Sequence, residues 1–281
     1  GYPWYGMRGR DALMALPGLA LTQGRADEMT AVLDRMIAER KDGIFANYPG
    51  DYSTSDTSLY FFYDMIALER HIGREAIWER YGDVMKEILE AYASDPSGRG
   101  VVMHDNGLIW ADGGGRPLTW MDGRVDGKAV TERRGYQVEV NALWHTAVCY
   151  TLELARQFCD RDTIEKWDGL PERIRESFAA TFWLDDGYLA DYVNEEEVSR
   201  LVRPNQVLAC STTYPLLDEV QTISLLATID RYLLTPRGLR TLAPDSVDYT
   251  GFYEGDEMAR SLSTHEGSIR PWLLVPYLAI K

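Results

Sequence analysis

The sequence predicts an all-α domain built from antiparallel helix hairpins, with the long loops gathered on one face. Three observations lead there. Nine segments carry the i, i+3, i+4 apolar rhythm of amphipathic helices. They come in close pairs, joined by very short turns. Longer segments, residues 42–55, 95–136, 185–203 and 235–266, link one pair to the next.

The first predicted helix, "DALMALPGLALTQG", starts with Asp11 as a possible cap and stops at Gly24. "ADEMTAVLDRMIAERK" follows after a tight turn. "DTSLYFFYDMIALERHIG", capped by Asp56 and ended by Gly73, leads straight into "EAIWERYGDVMKEILEAYASD". "QVEVNALWHTAVCYTLELARQFC" pairs with "TIEKWDGLPERIRESFAATFW", and "PNQVLACSTTY" with "DEVQTISLLATIDRYLL". "SIRPWLLVPYLAI" closes the set. Pro171, Pro215 and Pro271 mark helix starts or kinks. "GRGVVMHDNGLIWAD" reads as a small β-hairpin inside the longest loop. Nine helices leave one without a partner, whereas a closed ring of six hairpins needs twelve. "GYPWYGMRGRD" has no initiator methionine and reads like the interior of a longer chain, so 1–281 is expected to be a single domain of a larger polypeptide.

The 281 residues are 45% hydrophobic, enough for a substantial core. A net charge of −15 repels phosphate backbones and anionic lipid, so neither nucleic acid nor a membrane is an expected partner. No run approaches the roughly 18 apolar residues of a membrane span. Cys149, Cys159 and Cys210 form no disulfide framework, which fits a reducing, cytoplasmic compartment.

The long loops carry carboxylates, arginines and aromatic rings about once per helix pair, including Trp4, Arg10, Asp11, Trp120, Asp122, Glu139, Arg203, Asn205, His265 and Glu266. If these loops share a face, the groups converge on one cavity. Charged groups that bond hydroxyls, beside rings that stack on pyranose faces, suit a sugar. Taken singly, each residue is more ordinarily a cap, a loop ion pair or a rim aromatic. Other chemistries fail. The four histidines lack zinc spacing, "DGRVDGKAVTER" places Arg124 and Arg133 where a calcium loop needs ligands, and "GGGR" does not join a strand to a helix. Neither metal nor cofactor is expected.

Two carboxyl groups flanking a glycosidic bond suffice for hydrolysis. One must keep its proton, and burial against apolar groups raises a carboxyl pKa. In "TWMDGRVDG", Asp122 follows Trp120 and Met121 and is the candidate acid, although a pair of hairpin turns would explain the same glycines. Glu266, at the mouth of the last predicted helix, is the candidate base. Glu139 is its rival and Glu254 a weaker one.

"GYPWYGMRGRDALMALPGL", "LTWMDGRVDGKAVTERRGYQVEVNALW", "RPNQVLA" and "LLTPRGLRTLAPD…YEGDE…HEGSIRPWLLVPYL" resemble the amylo-α-1,6-glucosidase domain of glycogen debranching enzymes, in order and end to end. The resemblance implies an (α/α)6 toroid and inverting removal of an α-1,6-linked glucose from glycogen, another branched α-glucan or an oligosaccharide. It implies Asp122 as general acid and Arg10 and Asp11 as the grip on the terminal glucose. The family pattern more often has Gln and Trp where Glu266 and Arg270 stand, which keeps Glu139 in contention. Related toroids that cleave trehalose or other α-glucosides place a catalytic Glu before Gly near this point, which favours Glu266. The alternatives are such an α-glucosidase or trehalase-like hydrolase, or a non-catalytic polysaccharide-binding toroid.

Overall fold

The computed structural model describes residues 6–281; Trp4, an expected sugar contact, lies outside the described residues. Helices dominate as expected, but three small antiparallel sheets accompany them, so the architecture is not purely α. The departure has a physical reason: the long loops carry buried backbone, and short ladders satisfy its N–H and C=O groups.

Helix α1 spans Gly9–Ala20 and α2 spans Ala26–Ala38. Asp11 therefore lies in the first turn of α1, where its charge meets the positive end of the helix dipole, and does not cap it. A 3-10 turn at Thr57–Leu59 precedes α3, Tyr60–Ile72, and the Asp56 side chain caps nothing. Helix α4, Arg74–Ser94, follows directly. Strands β1 (Val101–Met103) and β2 (Ile109–Ala111) form the expected hairpin, in register Val101↔Ala111. Strands β3 (Arg124–Val125) and β4 (Lys128–Ala129) form a second. Strand β5 (Gly135–Gln137) runs into α5, Val138–Gln157.

The helix predicted over 163–183 is two helices, α6 (Arg161–Trp167) and α7 (Leu170–Phe182), broken at Asp168–Gly169 with Pro171 in the first turn of α7. Strand β6 is Tyr192–Val193, α8 is Asn205–Cys210, and α9 is Glu219–Tyr232, opened by a reciprocal Asp218–Gln221 capping box. Strands β7 (Leu234–Thr235) and β8 (Gly238–Arg240) precede α10, Glu257–Ser263. Seven residues are too few to show a helical period, so α10 was not predictable from its pattern. Strand β9 (Ile269–Arg270) precedes α11, Leu274–Ile280.

The helices pack in two rows. In one, α1 meets α3, α3 meets α5, α5 meets α8 and α8 meets α11. In the other, α2 covers α1 and α3, α4 covers α3 and α5, α6 and α7 cover α5, and α9 covers α8. Helix α5 is apolar or small nearly all round, the signature of a helix enclosed on every side. Its Val140, Trp144, Val148 and Leu152 have no exposed surface. Each such side chain contributes about 1.5–3 kcal/mol.

The sheets hold the long loops. The order β1-β2-β5-β6 stitches 95–136 to 185–203, with Trp110↔Tyr136 and Gln137↔Tyr192 in register. The order β7-β8-β9 pairs Leu239 with Arg270 and anchors the stretch after Glu266. No helix among the described residues is long and apolar enough to cross a membrane.

Candidate active site

The start of α1, residues 47–56, the 117–124 segment and the 265–266 turn come together at one end of the helices. Gly9 permits the first approach: its N–H donates to the Asn47 carbonyl at 2.8 Å, and a Cβ there would lie 2.0 Å from the Ala46 carbonyl oxygen. That contact turns Arg10 inward, where it is only 3% exposed. Arg10 Nε donates to Asp56 at 2.9 Å, and Nη1 donates to Asp122 Oδ2 at 3.3 Å. Nη2 is buried with no acceptor among the described residues. Asp56 is wholly buried, and burial raises its pKa while Arg10 lowers it. Asp11 faces the other way, with its side chain 59% exposed and Arg8 4.0 Å away.

The 118–122 segment is tied down on several sides. Ser55 N–H donates to the Leu118 carbonyl at 2.8 Å, and Trp120 Nε1 donates to Asn205 Oδ1 at 2.7 Å. Trp120 meets His265 and Trp272 edge-on, at centroid distances of 5.3 and 5.1 Å. The two Asp–Gly pairs resolve differently. Asp126 (φ 51°) and Gly127 (φ 79°) form the two-residue turn joining β3 to β4, where both central residues need positive φ. Asp122–Gly123 forms no such turn. Gly123 passes beside His265, and Asp122 stands in the wall of a cavity of about 350 Å³.

That cavity is lined by Arg10, Asn47, Tyr48, Asp51, Thr54, Pro117, Asp122 and Arg124. The wall around Asp122 is thus polar. Trp120 and Met121 are turned into the core, 7% and 1% exposed, and do not form the apolar wall expected of them. Asp122, with its side chain 31% exposed, faces His265 Nε2 at 3.8 Å as well as Arg10. Burial pushes its carboxyl up, but His265 and Arg10 outweigh that and leave it below its ordinary range. Burial pushes the His265 imidazole down, against Asp122.

Glu266 sits in the turn after α10, eight residues before α11, so no helix dipole acts on it as expected for a helix mouth. Its Oε1 accepts the Thr131 hydroxyl at 2.6 Å, and its Oε2 accepts Arg203 Nη2 at 2.7 Å. Arg203 Nη1 donates to the His265 carbonyl at 2.6 Å, which fixes the backbone between His265 and Glu266. Glu266 does not line the cavity; His265, its neighbour in sequence, faces Asp122. The Glu266 side chain retains 11% exposure.

Glu139, the rival base, has none. Both its oxygens are taken by Arg133, Nη1 at 2.5 Å and Nη2 at 2.7 Å, while Arg133 Nε reaches Asp191 at 2.7 Å. Burial alone would lower the Arg133 pKa; Asp191 and Glu139 reverse this and raise it. Asn205 Nδ2 donates to Asp191 at 2.7 Å and so joins this buried network to Trp120. Glu139 and Asn205 thus hold the loops from behind and do not line the cavity. Sequence reasoning missed Arg133 as a site-forming residue, while Asp56 belongs to the loop carboxylates expected near the cavity. Arg133 lies in an "ERRG" run that resembles any exposed loop. Among the described residues no group of three or more His, Cys, Asp or Glu side chains is arranged to hold a metal ion.

Comparison with known proteins follows the same lines. A glycogen debranching enzyme of Saccharomyces cerevisiae is 23% identical over 350 aligned positions, covering 92% of this chain. The chain spans only 23% of that relative's length. Among solved structures, a sialidase superposes with a TM-score of 0.60 at 10% identity over 78% of this chain and 19% of that one, a likeness of fold alone. A GH78 family rhamnosidase of Bacillus sp. GL1 reaches 0.49 at 13% identity, over 84% of this chain and 27% of that one, too low to support an argument. The family model for amylo-alpha-1,6-glucosidase matches residues 1–281, and the chain belongs to that family of glycoside hydrolases.

Proposed function

We propose that this chain hydrolyses an α-1,6-linked glucose from a branched α-glucan by an inverting, two-carboxylate mechanism. The observation that carries the reading is Asp122: a partly exposed carboxyl in the wall of a cavity of about 350 Å³, beside the Arg10 guanidinium. That volume is at the small end of the roughly 300–1,000 Å³ of ligand pockets, which suits one sugar ring better than a chain segment. Arg10 lines the cavity, and its guanidinium would help to place the ring for attack. We further propose that the two helix rows are an arc of an (α/α)6 toroid, with the site at its loop-bearing end and the protein acting in the cytoplasm.

In the proposed step Asp122, held ionised by His265 and Arg10 in the free protein, takes up a proton as bound sugar excludes water from the cavity, and gives it to the bridging oxygen as the C1–O bond breaks. Water attacks C1 from the opposite face and loses a proton to Glu266. Thr131 and Arg203 fix the Glu266 carboxylate, and its remaining lone pairs are available to the water. Inversion requires the two carboxyl groups to stand ~6.5–9.5 Å apart. Glu266 is favoured over Glu139 because Glu139 has no exposed surface and both its oxygens bond one guanidinium.

The test is glucose release from a limit dextrin bearing single α-1,6-glucosyl stubs, beside linear α-1,4-glucan and trehalose. Release from the stubs alone, lost in Asp122→Asn, supports the reading. Release mainly from trehalose, or near-normal turnover by Asp122→Asn, overturns it. Glucan binding with no release from any substrate would favour a non-catalytic toroid.

A further inference from the structure

The carboxylate that stands behind the site has no assigned role. We infer that Asp56 is a positioning residue for catalysis: through Arg10 it fixes both the place and the protonation of Asp122. The proposal rests on Asp122 being the acid.

Two bonds carry it. Asp56, with no exposed surface, accepts Arg10 Nε at 2.9 Å, and the same guanidinium reaches Asp122 Oδ2 through Nη1 at 3.3 Å. The Trp120 backbone N–H, two residues before Asp122, also favours the charged form of Asp56. One buried carboxylate thus ties the start of α1 to the segment that presents the acid. It does not act as the helix cap that its position before α3 suggests, since its side chain bonds none of the first-turn N–H groups.

The electrostatics give the link a direction. Arg10 is shared between two carboxylates, and its hold on Asp122 is weaker while Asp56 takes part of its charge. Asp56 and Asp122 also repel, and each disfavours ionisation of the other. Both effects help Asp122 keep a proton. The other charged and titratable groups around Asp122 are His265 after α10, Arg270 on β9, Arg8 before α1 and Tyr48 from the 47–56 loop. Arg124 and Asp51 complete the cavity's ionisable lining. Among the described residues none of these bonds the Arg10 guanidinium, so the link from Asp56 runs through Arg10.

The experiment is the pH dependence of kcat and KM for glucose release by Asp56→Asn and Arg10→Gln, beside Asp122→Asn. Asn keeps an acceptor for Arg10 Nε and removes the charge. In Asp56→Asn the alkaline limb of kcat should move to lower pH by roughly one unit, about a tenfold loss of kcat on that limb. KM should change less. Arg10→Gln should move the limb the opposite way, and should raise KM because the sugar grip is lost. A purely structural Asp56 would lower Tm and leave the limb in place, and that result overturns the proposal. Should Asp56→Asn fail to fold, Arg10→Gln decides: an unmoved limb overturns the proposal as surely. Near-normal turnover by Asp122→Asn would instead defeat the acid assignment itself, which separates the two failures.

Discussion

Replacing Arg133 by Met retains most of the side chain's apolar stem and removes its charge. In the native protein Arg133 meets Glu139 through two nitrogens, Asp191 through Nε at 2.7 Å and the Asp191 carbonyl at 2.9 Å, all without exposed surface to speak of. Asp191 keeps a distant second cation, Arg203 Nε at 3.9 Å, but Glu139 keeps none. Removing one partner of a buried pair costs about 3–5 kcal/mol, because the abandoned carboxylate stays dehydrated. For a domain of this size each kcal/mol lowers Tm by about 2–4 °C, so Arg133→Met should melt roughly 6–20 °C below the parent. Glu139→Gln, which keeps an acceptor for one guanidinium nitrogen, should cost less, about 1–3 kcal/mol. Differential scanning calorimetry with glucose-release assays at 25 °C reads both. A Tm loss under about 2 °C for Arg133→Met would refute the reasoning, since it corresponds to at most about 1 kcal/mol. Loss of turnover in Glu139→Gln at parental Tm would refute it differently, by making Glu139 a chemical group.

Three further outcomes follow from other parts of the molecule. Gly9→Ala must displace the 46–47 backbone, since its Cβ would lie 2.0 Å from a carbonyl oxygen; about 1–3 kcal/mol of stability should be lost, with kcat/KM falling as Arg10 leaves Asp122, both read by melting and kinetics. Asp64 on α3 is fully buried with neither oxygen bonded, and burial raises its pKa well above the ordinary 3.8. The folded state then holds the proton more tightly than the unfolded one, so this group's contribution to stability falls as pH rises from 3.8 through the folded value; Asp64→Asn should remove that decline, and an unchanged slope of Tm between pH 5 and 8 would contradict it. Sugar binding expels water around Asp122, so the alkaline limb of kcat should lie above that of kcat/KM, which reports the free enzyme; coincident limbs would mean that the cavity does not dry.

The helical rhythm made most of the fold legible. Long amphipathic segments such as 75–95 and 137–159 state their period over several turns, and α4 and α5 lie within a residue or two of those limits. What escaped was short or non-local. A seven-residue α10 has no period to read, and the two-residue ladders at β6 and β9 draw their stability from partners far away in the chain. In the site, Asp122, Arg10, Arg203, His265 and Glu266 form one connected set in space through the contacts of Arg10, His265 and Arg203. Asp11 points outward instead. The apolar wall expected beside Asp122 failed for a simple reason: in an irregular segment neighbouring side chains need not share a face, and Trp120 and Met121 satisfied their own burial elsewhere. Arg133 was invisible because its partners, Glu139 and Asp191, become neighbours only after β5 pairs with β6.

The most direct measurement is proton NMR of the first glucose released from an α-1,6-stubbed dextrin, before the anomers equilibrate. The account requires β-glucose from the parent protein, and no burst of either anomer from Asp122→Asn or Glu266→Gln. Release of α-glucose, or unimpaired release by either variant, would contradict the opposed Asp122–Glu266 pair.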